Sequence, residues 1–216
     1  KDILDPAKNE IVTGKIVDAT CYLIDAKALL KRGKEQALDY KLIDLHCDTA
    51  SRMYKEKKPL RSNDLHIALD KASGFKKYVQ VAAIWSDNTL SDEEAYSDFW
   101  RILNNFKMEI EANRQSAVLC RSFDDLTQVP DGAAAFFLAV EDARLVSGNV
   151  ERMHELYDAG VRIISLNWQG ENALGGGYDT NAPLTHLGRT VAAMALDLGM
   201  VPDVSHSSAR VTEEIA

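Results

Sequence analysis

From Lys41 onward, the sequence alternates short apolar runs with longer amphipathic stretches, and this rhythm constrains the fold more than any other feature. Such alternation is typical of parallel strands joined by crossover helices, because consecutive parallel strands need a long connection between them. Continuous apolar runs suit strands that are buried on both faces. The sequence predicts five strands of this kind, at residues 42–48, 78–85, 135–141, 162–168 and 200–206.

Three amphipathic stretches between these strands carry the start and stop signals of helices. Ser91 precedes three acidic residues and opens a helix that runs to about Ala112, because serine caps a first turn and acids favour its positive end. Two further helices are predicted at residues 149–159 and 187–198, and each is followed by a glycine. Glycine readily takes the left-handed conformation that ends a helix.

These segments form about five β/α units and predict an α/β protein of the (β/α)8 TIM-barrel type. A complete barrel usually takes ~250 residues. We therefore interpret residues 41–216 as the N-terminal part of a catalytic barrel and expect the remainder from a second segment or chain. Residues 1–40 do not follow the rhythm, and a candidate strand at 12–17 and helix at 24–38 suggest an N-terminal extension or small outer layer.

Composition limits the partners that this chain can have. The formal net charge of −8 argues against a nucleic-acid partner, because phosphate binding needs a concentrated positive field. No apolar run approaches the roughly 20 residues that cross a bilayer. Three cysteines without CxxC spacing predict neither a disulfide framework nor a cysteine metal site. We expect a cytoplasmic protein without a membrane span, and an exported form stays open because the sequence does not begin with Met.

Polar side chains gather at the carboxyl ends of the predicted strands, where parallel α/β barrels carry their catalytic groups. His46 and Asp48 end the first strand two residues apart, so both side chains point the same way and can hold one metal ion. Glu141 ends the third predicted strand, and His206 ends the fifth. Each residue taken singly has a structural explanation, as a hydrogen-bonded side chain or a helix cap. Their shared edge favours a metal site.

Imidazole and carboxylate ligands without thiolates suit zinc, with manganese or iron as alternatives. A carboxylate that bridges two such ions can hold a shared hydroxide between them. Two metal ions ~3.5–4 Å apart lower the pKa of the bound water and polarise a carbonyl group. The four residues therefore predict a metal-dependent amide hydrolase.

Several segments resemble the membrane (renal) dipeptidase family of zinc peptidases. They are LIDLHCDTA at 42–50, Gln80 within VQVAAIW, Val140-Glu141, GVRIISL at 160–166, LTHLG at 184–188, LGM at 198–200 and DVSHS at 203–207. Their order and spacing agree with the family from about Asp44 to the end of the chain. The resemblance implies a dinuclear zinc barrel that cleaves dipeptides, and related enzymes are commonly dimers.

The resemblance also implies a role for each candidate residue. His46 and Asp48 would hold the first of two zinc ions and His206 the second, while Glu141 would bridge both and is the catalytic carboxylate. The remaining histidine ligand of the family, a substrate-gripping arginine and a late aspartate are expected beyond Ala216.

One stretch departs from the animal members of the family, which carry a substrate-contacting histidine near the end of the fourth predicted strand. Here residues 167–172 read NWQGEN, which resembles a bacterial branch. We expect Trp168 and Asn172 to bind the substrate, and a half-buried core aromatic is the alternative for Trp168.

Two other functions compete with a dipeptidase. An amide or lactam hydrolase of the wider amidohydrolase type usually shows HxH on its first strand, so Asp48 argues against it. An inactive fragment or scaffold with a binding role would keep the fold without metal, and the presence of all four ligands argues against this reading.

Overall fold

The computed structural model describes the backbone of residues 38–216 and the side chains from Lys41 onward, so the prediction for residues 1–40 lies almost wholly outside the described residues. The strands are β1 (Leu38–Cys47), β2 (Phe75–Trp85), β3 (Ala117–Leu119), β4 (Ala134–Glu141), β5 (Val161–Ser165), β6 (Glu171–Asn172), β7 (Gly175–Gly176) and β8 (Val201–Asp203). The helices are α1 (Thr49–Glu56), α2 (Leu69–Ala72), α3 (Asp92–Ala112), α4 (Phe123–Gln128), α5 (Arg152–Ala159), α6 (His186–Leu198) and α7 (Ala209–Ile215), with a 3-10 helix at Ala143–Val146.

Six parallel strands form one sheet in the order β1-β2-β4-β5-β8, with β3 beside the first half of β4. The five predicted strands therefore lie side by side in the order in which they follow one another along the chain. This confirms the β/α repeat and the α/β fold class. Within residues 38–216, β1 and β8 are the edge strands at the two ends of this order, and β3 pairs with β4 alone. Strands β6 and β7 form a separate antiparallel hairpin.

Three strands end earlier than the sequence predicts: β1 by one residue, so that Asp48 follows the strand, and β5 and β8 by three. β5 ends at Ser165 and β8 at Asp203, so Trp168 and His206 lie in the loops that follow. His206 has a φ of 65°, a left-handed conformation that does not occur within a regular strand. β3 was not predicted, because three residues are too few to show a period.

The helix signals in the sequence are confirmed. Ser91 Oγ accepts a hydrogen bond from the Glu94 amide, and the Glu94 carboxylate accepts one from the Ser91 amide at 2.9 Å, which closes a capping box at the start of α3. Gly160 ends α5 with a φ of 109° and Gly199 ends α6 with a φ of 78°. Both glycines thus take the left-handed conformation that their positions predict.

The main core lies between the sheet and the helices on its outer face. Phe136 of β4 is buried there, and its ring meets Phe106 of α3 edge-on, with 5.5 Å between the ring centroids. The inner face carries a smaller apolar cluster around Ala83 and Ala139. Because side chains alternate along a strand, Glu141 lies on the same inner face as Ala139.

The two edge strands leave large apolar side chains in solvent. Ile43 and Leu45 of β1 are 63% and 73% exposed, and Val201 of β8 is 59% exposed. Apolar edges of this kind are surfaces on which further protein packs. Among residues 38–216, no helix combines the length and the apolarity needed to cross a bilayer.

The packing of Phe136 predicts a large loss of stability on truncation. Phe136→Ala is expected to lower the free energy of unfolding by about 3–5 kcal/mol, because it opens a cavity between β4 and α3. Urea unfolding followed by circular dichroism measures this loss. The matched control is Phe123→Ala, since Phe123 is 75% exposed, and its effect should stay within about 0.5 kcal/mol. Equal losses for the two variants would contradict the assigned core.

Candidate metal centre

The four predicted ligands meet at the carboxyl edge of the sheet. His46 Nε2 lies 3.4 Å from Asp48 Oδ1 and 3.7 Å from Glu141 Oε2, and His206 Nε2 lies 3.2 Å from Glu141 Oε1. Strands β1 and β8 are each two strands away from β4, which is about 10 Å in a flat sheet. Both imidazoles reach the carboxylate on β4 because the sheet curls around its inner face.

The end of β1 presents His46 and Asp48 on either side of the buried Cys47. Asp48 precedes α1, a position at which aspartate commonly caps the helix, yet its side chain makes no capping hydrogen bond. Its carboxylate pairs with His46 instead. This hydrogen bond lowers the pKa of Asp48 and raises the pKa of His46.

Glu141 is the buried member of the cluster, with 8% of its side chain exposed. Burial raises its pKa to about 7, a shift that His46 opposes and that the nearby carboxylates of Asp48 and Asp142 increase. Removing a carboxylate from water is costly without a compensating positive charge. A cation held at this point would relieve that cost.

A tight turn after β8 positions His206. Asp203 pairs in register with Ser165 of β5, and its Oδ1 accepts a hydrogen bond from the Ser205 amide at 2.8 Å. The Ser207 amide then donates to the Val204 carbonyl at 3.0 Å, which closes the turn around His206. Sequence reasoning did not assign Asp203 a role, although an aspartate two residues before the bonded amide is the usual signal of such a turn.

The donor set fits a metal ion. The ligand atoms of His46, Asp48 and Glu141 all lie within 4.8 Å of one another. The two oxygens of Glu141 face different imidazoles, Oε2 toward His46 and Oε1 toward His206. One carboxylate can therefore contact two cations, and imidazole with carboxylate is a donor set that zinc prefers.

A cavity of about 430 Å³ opens beside this cluster, between the four candidate ligands, the start of α1 and two tryptophans. The Trp168 ring is half-buried, with its centroid 5.1 Å from that of Trp85 and 6.4 Å from that of His206. Trp168 therefore lines the cavity and also packs within an aromatic cluster. The two interpretations of this residue from the sequence are compatible.

Asn172, the other predicted substrate contact, has both ends of its amide in hydrogen bonds. Nδ2 donates to Asp142 Oδ1 and to the Leu166 carbonyl, each at 2.8 Å. Oδ1 accepts from Asn167 Nδ2 at 3.1 Å and from the amides of Leu174 and Gly175 at 2.8 and 3.1 Å. These bonds fix the amide inside its own loop, and its contact with substrate stays a prediction.

Fold and site together define the class of this protein: an α/β chain that forms part of a TIM-type barrel and carries imidazole and carboxylate groups at the carboxyl ends of its strands. The sequence model described as membrane dipeptidase (peptidase family M19) matches residues 30–216. The chain belongs to this family. A comparison with curated proteins gives no match.

Solved structures of similar fold include two described as metallopeptidases. Dipeptidase AC, of family M19, is 19% identical over 82% of this chain and 60% of its own, with a TM-score of 0.72. A Rhodobacter sphaeroides metallopeptidase, liganded with a phosphinate mimic of L-Ala-D-Ala, is 18% identical over 82% of this chain and 62% of its own, with a TM-score of 0.73. The probable dipeptidase PvdM from Pseudomonas aeruginosa is 15% identical over 91% of this chain and 52% of its own, with a TM-score of 0.67.

These identities are low, so the likeness to the solved structures concerns the fold. This chain spans 60% and 62% of the length of the first two structures. The match over residues 30–216 establishes the family.

The burial of Glu141 predicts a pH-dependent stability of the metal-free protein. Its folded-state pKa of about 7 lies above the ordinary value of 4.5, so its contribution to stability is complete below pH 4.5 and is lost as the pH rises through 7. Between pH 5 and pH 8 this loss amounts to about 2–3 kcal/mol.

The measurement is urea unfolding of the chelator-treated protein at both pH values, beside the variant Glu141→Gln. Glutamine has no charge to bury, so the variant should lack this part of the pH dependence and should be the more stable of the two at pH 8. The same change in unfolding free energy for both proteins would contradict the buried charge.

Proposed function

We propose that this protein is a metal-dependent dipeptidase that hydrolyses the peptide bond of small dipeptides with a hydroxide held between two zinc ions. The observation that carries the proposal is the carboxylate of Glu141, whose two oxygens face two imidazoles at 3.7 and 3.2 Å. Membership of the membrane dipeptidase family supports it. The dipeptide mimic bound to the Rhodobacter sphaeroides relative supports the same class of substrate.

Each residue of the cluster has a defined part in this proposal. His46 and Asp48 would hold the first ion and His206 the second, and Glu141 would contact both. When bound, the two ions supply a water of lowered pKa and a Lewis acid for the substrate carbonyl. The hydrogen bond between His46 and Asp48 orients both side chains, and the burial of Glu141 excludes bulk water from its carboxylate.

The cavity beside the cluster is the proposed substrate site. Its volume of about 430 Å³ lies within the range of small-molecule pockets. Trp168 and Trp85 give it an apolar wall, and the half-buried Trp168 is the proposed substrate contact. An apolar wall beside the ligands favours contact with the apolar side chains of a small dipeptide.

The exposed edge strands indicate where a further part of the barrel would pack. We propose that β1 and β8 pack against a second segment or chain, because Ile43, Leu45 and Val201 expose apolar surface along them. That part would also supply the remaining ligand that the family resemblance implies. Association of two complete copies into a homodimer is a separate proposal, which light scattering of the intact protein tests.

Removal of metal or of the Glu141 charge is expected to abolish dipeptide hydrolysis. In the intact protein, chelation should stop hydrolysis and added zinc should restore it. Glu141→Gln should lower kcat/KM by at least about 1,000-fold, because the ions would lose the carboxylate that contacts both. The assay follows release of free amino acids from a panel of dipeptides, with cyclic amides and β-lactams as competing substrates.

The matched control for this experiment is Glu111→Gln. Glu111 is exposed on α3 and pairs with Arg114 at 3.1 Å, away from the site, so kcat/KM should stay within about twofold of the wild type. Full hydrolysis by the chelated protein or by Glu141→Gln would exclude the proposed mechanism. Faster turnover of cyclic amides than of any dipeptide would favour the amidohydrolase alternative.

Truncation of Trp168 tests whether this residue contacts the substrate or only packs in the core. Trp168→Ala should raise KM about tenfold and change kcat little, because it removes apolar contact that the substrate keeps throughout the reaction. Trp168→Phe retains a ring, so its KM should stay within about threefold of the wild-type value. If Trp168→Ala lowers the melting temperature and leaves KM unchanged, the residue is a core aromatic only.

A further inference from the structure

A residue with left-handed backbone conformation lies at or beside two of the candidate metal ligands. Asp142, directly after Glu141, has φ 68° and ψ 88°, and His206 itself has a φ of 65°. Among the residues that the structure describes, only one other residue besides glycine, Lys57, has a positive φ. Such residues persist where their surroundings hold them in place, and they cluster at functional sites.

Three neighbours hold Asp142. Its amide donates to Ser165 Oγ at 3.3 Å, and its Oδ2 lies 3.5 Å from Arg144 Nε. Its Oδ1 accepts a hydrogen bond from Asn172 Nδ2 at 2.8 Å. Asp142 is only 5% exposed, so the loss of Arg144 or Asn172 leaves a buried carboxylate underpaired.

The same asparagine is connected to the His206 segment. Asn172 Oδ1 accepts from Asn167 Nδ2 at 3.1 Å, and Asn167 Oδ1 accepts from the Ser207 hydroxyl at 3.4 Å. Asn167 is fully buried, and Ser207 directly follows His206. A continuous chain of side-chain hydrogen bonds therefore joins the residue after Glu141 to the residue after His206.

We infer that Asn172 is a positioning residue that sets the separation between Glu141 and His206, and through it the affinity of the site for metal. The inference rests on the proposed function. In this role the Asn172 amide binds groups within the protein, and other residues line the cavity.

The chemistry of the amide explains why asparagine stands at this position. Toward Asp142 the group must donate, and toward Asn167 it must accept, which an amide does from its two ends. Two backbone amides and the Leu166 carbonyl bind the same group, so it cannot turn toward the cavity without breaking several bonds at once. Partners behind the ligands commonly govern metal affinity in this way.

The test is the zinc affinity of the intact, metal-stripped protein, measured by competition with a chromophoric chelator. Asn172→Ala is expected to weaken zinc binding about 10- to 100-fold. Ser207→Ala removes only the last bond of the chain and should weaken mainly the site that contains His206, by about two- to fivefold. This second variant decides the outcome if Asn172→Ala does not fold.

Asn63→Ala is the matched control, because Asn63 makes similar bonds within its own loop and none to the ligand segments. Its Nδ2 donates to the Pro59 carbonyl at 2.8 Å, and its Oδ1 accepts from the Leu65 amide at 2.9 Å. Melting temperatures of the metal-free proteins measure the structural cost of each variant. The inferred role requires that Asn172→Ala loses zinc affinity. Asn63→Ala should keep its zinc affinity even if its melting temperature falls by a similar amount.

Two outcomes would overturn the inference, and they are distinguishable. If the wild type binds zinc and Asn172→Ala, or Ser207→Ala in its place, binds it equally well, the positioning role is wrong and the proposed dipeptidase stands. If the wild type binds no zinc, both the positioning role and the proposed function are wrong.

Discussion

The site depends on one buried carboxylate that sits on a central strand of a curled sheet. Glu141 has strands on both sides of it, an apolar cluster below it and an imidazole facing each of its oxygens. Low polarity makes its ionised form costly, and the same low polarity strengthens its attraction for cations. The arrangement is thus unfavourable for a lone acid and favourable for an acid that shares metal ions.

The two imidazoles reach this carboxylate by different structural routes. His46 belongs to β1, so its position follows from strand pairing with β2 and from the curl of the sheet. His206 lies three residues after β8, and its position depends on the turn that Asp203 starts and on the bonds of Ser207. A ligand in a loop needs such local support, because strand pairing no longer fixes it. The network through Asn172 supplies support where the sheet does not.

Much of this structure follows from sequence patterns that act over short distances. The five strands, the helix start at Ser91 and the glycines that end α5 and α6 each carry a local signal, and the structure confirms them. The predicted end of β5 was wrong for a physical reason. Leu166 is fully buried although it lies beyond β5, and a buried loop residue continues an apolar run just as a strand residue does. The bond between Asp142 and Asn172 joins residues 30 positions apart, and no local period predicts it.

Contacts between distant residues also explain how neighbouring residues of one loop come to differ in role. Asn172 lies four positions after Trp168, and its amide is held by groups within the protein. Gly177 packs so closely on this loop that a Cβ atom there would lie 2.4 Å from the Trp168 carbonyl oxygen. The backbone of Trp168 is thus fixed from behind, while its ring lines the cavity. A loop held in this way can present one side chain to a ligand because the others are committed to holding it.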